Sequence, residues 1–179
     1  MKKLFLFLAV ASLLTGCSGI KASSDYDRDA NFTTYKTYAF TKEASELPID
    51  DINRRRIIEA VTTELAAKGF TKSDQPDVWI DLKLKAEQKQ SATASSTSPY
   101  GYGAGYGYRW GGGFSTTTID VENYVEGTLF VDMIDVAKKQ LVWQGRATKT
   151  IDPDSKTKDR EYAISQAVKQ VFTQYPPKK

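Results

Sequence analysis

The sequence predicts an α+β domain: a mainly antiparallel sheet carrying two helices packed on one face. Three observations predict it. Several segments alternate apolar and polar residues at period two and are rich in Val, Ile, Thr, Tyr and Phe, as half-buried strands are. Two other segments repeat apolar residues at helical spacing. Their order is strands, helix, strands joined as a hairpin, then helix, which suits helices gathered on one face of an antiparallel sheet.

Each element has its own signal. Ala22 to Tyr26 is a candidate first strand. Asn31 to Thr41 reads as a strand, with Tyr38 and Phe40 on one face and Thr37 and Ala39 on the other. Pro48 and the Asp50–Asp51 pair signal a helix start. Ile57, Ile58, Val61, Leu65 and Ala66 form its apolar stripe, and Arg54, Arg55, Glu59 and Glu64 fall outside it. Gly69 is the expected C-terminal stop, with Phe70 packing back on the last turn.

Gln75-Pro76-Asp77 marks a turn. Val78, Ile80, Leu82 and Leu84 then alternate with Trp79, Asp81 and Lys83. Residues 90–116 read as one long loop or irregular hairpin end, polar at first and then glycine interleaved with aromatics. Ser115 to Val125 alternates weakly. Glu126 to Val136 and Gln140 to Ile151 read as a hairpin turning through Asp135–Lys139. A second helix is expected from Lys158 to Gln174, with Ile164, Ala167, Val168, Val171 and Phe172 inward; Pro176-Pro177 stops it.

Ahead of this domain lie Lys2 and Lys3 and an apolar run, Leu4 to Leu14, broken only by Ser12. The run has the length of a signal-peptide core and falls short of the ~20 apolar residues that span a bilayer. Leu14-Thr15-Gly16-Cys17 follows and resembles the lipobox of bacterial lipoproteins. The resemblance implies diacylglyceryl transfer to the Cys17 sulfur, cleavage between Gly16 and Cys17, and acylation of the new terminus. Several acyl chains together hold firmly where one binds marginally. Ser18 rather than Asp after the cysteine looks like an outer-membrane address. The chain then divides into a lipoprotein signal peptide (1–16), a lipidated tether (17–24) and one α+β domain (25–179), anchored in the outer membrane and facing the periplasm.

Composition narrows the function. Cleavage would remove Lys2 and Lys3 and lower the formal charge from +3 to +1, which argues against a nucleic-acid partner. Cys17 is the only cysteine, so lipidation would leave no thiol for a disulfide. There is no histidine, which removes Ser-His and Cys-His nucleophiles and every His-containing metal site. No cofactor, metal site or catalytic residue is expected.

The chain also resembles a known family. Phe32 to Phe40 (FTTYKTYAF) is similar to its opening motif, and Ala67-Lys68-Gly69-Phe70 to the end of its first helix. Tyr124 to Leu129 (YVEGTL), Asp132 to Asp135 (DMID) and Leu141 to Gly145 (LVWQG) resemble its central hairpin; Tyr175-Pro176-Pro177 resembles its ending. These are the lipoproteins carrying domain of unknown function 4136. The resemblance implies an α+β fold in the bacterial envelope and no activity.

Three functional readings follow. The first is a lipid-anchored, non-catalytic envelope protein that supports or binds another envelope component; its partners are the membrane, through the lipid, and another envelope protein or peptidoglycan. The second is a peptidoglycan or glycan binder, in which Tyr100, Tyr102, Tyr106, Tyr108 and Trp110 stack on sugar rings. The third is a carboxylate-dependent hydrolase or Ca²⁺ site built from Asp120, Glu122, Glu126, Asp132 and Asp135. Strand pleating weighs against that cluster, since Asp132 and Asp135 fall on opposite faces and Asp135 is better placed to cap the turn. Trp79 and Trp143 read as core or rim residues, and Arg54-Arg55-Arg56 as a solvated helix face.

The lipobox is directly testable. Cys17→Ser is expected to abolish incorporation of radioactive palmitate and leave the precursor uncleaved. A variant that still matured to wild-type size in the membrane fraction would rule the motif out.

Overall fold

The computed structural model describes residues 19–97 and 116–178. Gly16, Cys17 and the segment holding Tyr100, Tyr102, Tyr106, Tyr108 and Trp110 lie outside the described residues. In chain order the elements are β1 (Lys21–Tyr26), β2 (Thr37–Phe40), α1 (Lys42–Ser45), α2 (Asp51–Ala67), β3 (Thr71–Lys72), β4 (Val78–Thr97), β5 (Thr116–Asp135), β6 (Gln140–Ile151) and α3 (Thr157–Phe172). The strands form one sheet in the order β1-β6-β5-β4-β2-β3. Its pairs are antiparallel from β1 to β4, and parallel between β4 and β2 and between β2 and β3. The expected α+β class and mainly antiparallel sheet are present.

The pleat of β4 sorts the two faces. Val78, Ile80 and Leu82 lie opposite Asp135, Met133 and Val131, and Met133 lies in turn opposite Trp143. These apolar residues share one buried cluster with Ile57, Val61 and Leu65 of α2 and Val168, Val171 and Phe172 of α3. Both long helices therefore pack on that face. Trp79 and Leu141 stay 38% and 49% exposed on the other. Asp50 caps α2 by accepting from the Asn53 N–H at 3.0 Å. Gly69 follows its last turn at φ +85°, which lets the Phe70 N–H reach the Leu65 carbonyl at 3.0 Å.

Trp143 stands at the centre of the core, fully buried, with its ring 5.8 Å from that of Phe172 and 5.3 Å from that of Tyr175. Gly145, two residues along the same face, makes this approach possible. A Cβ there would collide with Val171 Cγ1 and come within 2.5 Å of Trp143 Cη2.

Several expectations need correction. The candidate strand Ala22–Tyr26 is present as β1, so the tether expected to run to Ser24 gives way at Lys21, where pairing with β6 from Lys21↔Thr148 to Tyr26↔Trp143 begins. The strand expected over Asn31–Thr41 is confined to Thr37–Phe40; Asn31 instead holds a turn, its Oδ1 accepting from the Thr33 hydroxyl at 2.8 Å. A third helix, α1, follows β2: Thr41 caps it and buries Ala44 against the core. Ala66 is exposed, because the buried row of α2 runs narrowly through Asn53, Ile57, Val61 and Leu65.

The largest correction concerns residues 90–116. Residues 90–97 and 116 lie in strands, and the two segments expected over 115–136 are one strand. Pairing of β4 with β5 is unbroken from Val78↔Asp135 to Thr97↔Thr116. The β6 strand leaves at Val125↔Ile151, so nine β4–β5 pairs project beyond it as a two-stranded arm about 30 Å long. The alternation signal fails here because residues 89–97 are a run of polar and small residues. Their strand is defined by its pairing with β5, from Lys89↔Tyr124 to Thr97↔Thr116.

Two substitutions test the core. Trp143→Ala should cost ~3–5 kcal/mol in urea unfolding through the cavity it leaves. Gly145→Ala should cost ~1–3 kcal/mol by overpacking the indole and Val171.

Candidate functional site

The C-terminal halves of α2 and α3 close over the sheet, and their N-terminal halves leave a cleft of about 510 Å³. Its floor is Leu84, Gly127, Leu129 and Ala147, from three adjacent strands. Its walls are Ile57 of α2 and Ala163, Ile164 and Ala167 of α3. Small residues line both sides of it: Ala163 and Ala167 on the wall, and Gly127 and Ala147 on the floor. Gly127 also lets the Ile151 side chain fold over the floor, because a Cβ there would lie 2.7 Å from Ile151 Cδ1.

Charge is confined to the rim, at Lys149, Asp152, Asp159 and Arg160. Asn53 reaches the cleft from α2, but its amide is engaged: Nδ2 donates to Asp50 at 2.8 Å and Oδ1 accepts from Arg56 at 3.0 Å. The Asp152 carboxylate accepts from the Asp154 N–H at 2.9 Å. What the cleft presents inward is aliphatic surface. Sequence reasoning assigned Ile57, Ile164 and Ala167 to a closed core, and missed Gly127 and Ala147 as its floor. The legible signal was the run of small residues, Ala163 and Ala167 one turn apart on α3, facing small residues on the strands.

The acidic residues singled out from sequence are not brought together. Asp132 lies on the open face, 3% exposed, directly opposite Asp81. Lys83 Nζ bridges the two at 2.8 and 3.0 Å. Gln144 donates to Asp132 at 2.7 Å, and the Thr41 hydroxyl to Asp81 at 2.8 Å. Hydrogen bonds to Asp132 and then Asp81 raise the Lys83 pKa. Glu126 pairs with Lys89, Glu122 is exposed, and the Asp120 side chain lies outside the described ones. Among the described residues no group of three or more His, Cys, Asp or Glu is placed to hold a metal ion.

Asp135 lies on the helix-bearing face and caps its turn as expected, accepting from the Lys138 N–H at 2.8 Å. It also accepts from the Tyr35 hydroxyl at 2.8 Å, a contact absent from the sequence reading. Burial by itself would raise the Asp135 carboxyl, but the Lys138 and Tyr35 hydrogen bonds outweigh it and hold the pKa low. Burial first, and the carboxylate second, push the Tyr35 phenol up to about 12. Of the arginines, Arg54 pairs with Asp51 at 2.9 Å, Arg56 approaches Glu161 at 3.9 Å, and Arg55 is exposed. No helix among the described residues is long and apolar enough to cross a membrane.

A family model described as domain of unknown function (DUF4136) matches residues 22–177. Two solved structures share the fold. A PDZ domain protein from Parabacteroides distasonis is 23% identical with a TM-score of 0.52 over 99% of this chain. This chain spans 41% of that protein's length. The PelC dodecamer from Paraburkholderia phytofirmans is 10% identical with a TM-score of 0.50, covering 89% of this chain and 99% of its own. The chain has no match among curated proteins.

The Tyr35–Asp135 bond sets a pH signature. A lowered carboxyl contributes stability above the ordinary aspartate pKa of ~3.9, lost as pH falls through the folded value. A raised phenol contributes below ~10, and that stability is lost as pH climbs toward the folded value. Tyr35→Phe should therefore cost ~1.5–3 kcal/mol at pH 7. In urea unfolding at pH 7 and pH 3, the gap between variant and wild type should narrow at the acidic end.

Proposed function

We propose, on the premise that the chain belongs to the DUF4136 family, that it is a lipid-anchored outer-membrane protein with a non-catalytic binding role. The observation that carries this reading is the spacing between Leu14-Thr15-Gly16-Cys17 and the folded domain. The first strand begins at Lys21, four residues after Cys17, and runs along the edge of the sheet. Four residues span at most ~14 Å, so a lipidated Cys17 would hold the domain against the membrane surface with no free linker. The aliphatic cleft supports binding over chemistry: its inward surface offers burial to a ligand, and its one inward amide is engaged by the chain itself.

A second reading is favoured by the two-stranded arm. Residues 98–115 join Thr97 to Thr116 at its far end, about 30 Å of paired strand beyond β6. The segment joined there holds Tyr100, Tyr102, Tyr106, Tyr108 and Trp110, side chains of the kind that stack on sugar rings.

Crosslinking in intact envelopes, followed by membrane fractionation, tests the first reading. The wild-type chain is expected in the outer-membrane fraction crosslinked to envelope components, and Cys17→Ser outside it. Replacing residues 98–115 by a two-residue turn tests the second. The melting temperature should be unchanged while retention on purified peptidoglycan sacculi is lost; unchanged retention would leave the arm without a glycan role.

A further inference from the structure

We infer that the cleft receives an acyl chain of a phospholipid from the bilayer that holds the anchor, with the lipid phosphate toward Lys149 and Arg160; this rests on the anchored reading above. Three observations carry it.

The first is chemical. The cleft's 510 Å³ falls within the range of small-molecule sites, and its floor and walls are aliphatic. A methylene chain needs no hydrogen-bonding partner there. A sugar or peptide would leave buried polar groups unpaired, at a cost.

The second is position. The β1 strand enters the sheet with Lys21 opposite Thr148. Continuing that antiparallel register by one residue sets Ile20, which packs against the core, beside Lys149. Lys149, Thr150 and Ile151 line the cleft. Cys17 lies three residues before Ile20, within ~11 Å of extended chain. The first strand therefore starts beside residues that line the cleft, and attachment through Cys17 would bring the cleft to the bilayer.

The third is charge. Lys149 and Arg160 stand on the rim, and neither forms an ion pair among the described residues. Asp152, which accepts from the Asp154 N–H, and Asp159 share the rim with them, so the rim carries two charges of each sign, the balance a zwitterionic headgroup takes. A phosphate ester at the mouth would find two cationic donors, while its acyl chain enters the floor between Leu84 and Ala147.

The test uses the full acylated chain in vesicles of phosphatidylethanolamine and phosphatidylglycerol. A trace of phosphatidylethanolamine carries a diazirine near the end of one acyl chain. Irradiation should place adducts on peptides containing Leu129, Ala147 or Ile164. Ala163→Trp, which fills the cleft, should reduce those adducts to background. Arg160→Glu alters only an exposed rim side chain, so folding is preserved, and it should lower the yield several-fold with no change in melting temperature. Adducts confined to residues before Lys21, or equal yields in wild type and both variants, would overturn the inference. The N-terminal peptide in the same digest reports the anchor separately. An acylated Cys17 without cleft adducts defeats the cleft assignment alone; an unmodified Cys17 in protein from native envelopes defeats the anchored reading.

Discussion

Twenty consecutive antiparallel pairs between β4 and β5 position nearly every other feature of this domain. Their register sets Ile80 against Met133 and Leu82 against Val131, building the apolar layer on which both long helices rest. The same register sets Asp81 against Asp132 on the other face, and it carries the ladder outward into the arm. A slip of one residue would exchange the faces, exposing the aliphatic layer and turning the acidic pair into the core. The ladder is thus the constraint that makes the helix positions, the cleft floor and the arm mutually dependent.

The two faces are stabilised by different physics. Beneath the helices, burial and ring packing dominate: Trp143, Phe172, Tyr175, Phe70 and Phe32 form a chain of tilted and edge-on contacts between 5.3 and 5.8 Å apart. On the open face, two nearly buried carboxylates directly opposite each other would repel. Lys83 sits between them, and Thr41 and Gln144 occupy further lone pairs. Thr41 also caps α1, so the same hydroxyl ties the start of that helix to the ionic ladder. Asp77 plays a similar part at the parallel junction: one carboxylate oxygen accepts from the Lys36 and Thr37 N–H groups and the Thr37 hydroxyl, clamping β2 beside β4.

Function, on this account, is a matter of placement. The cleft exists because α3 presents Ala163 and Ala167 where the strands present Gly127 and Ala147, and it lies where β1 enters the sheet. An aliphatic cavity elsewhere on the domain would have no particular relation to a membrane. Here the start of the edge strand and the residues lining the cleft meet at one end of β6. The arm extends from the neighbouring strands as a separate device with its own candidate ligand.

By itself the sequence determined the fold class and most of the core. Period-two alternation in Val78 to Leu84 and helical spacing in Ile57 to Leu65 and Val168 to Phe172 are local signals, produced by burial on one side, and they survive without knowledge of partners. Trp143 was legible as a core or rim residue for the same reason. Only the tertiary structure decided the rest. The polar stretch from Gln90 to Thr97 carries no burial pattern, so its strand character comes entirely from the partner at Thr116 to Asn123. The Ala22–Tyr26 segment was legible as a strand, but its place at the edge of the sheet beside β6 was not. The Tyr35–Asp135 bond joins residues one hundred positions apart. The cleft depends on the distance between two helices that small side chains on separate elements leave open. Such features arise from juxtaposition, and local periodicity does not encode which segments meet.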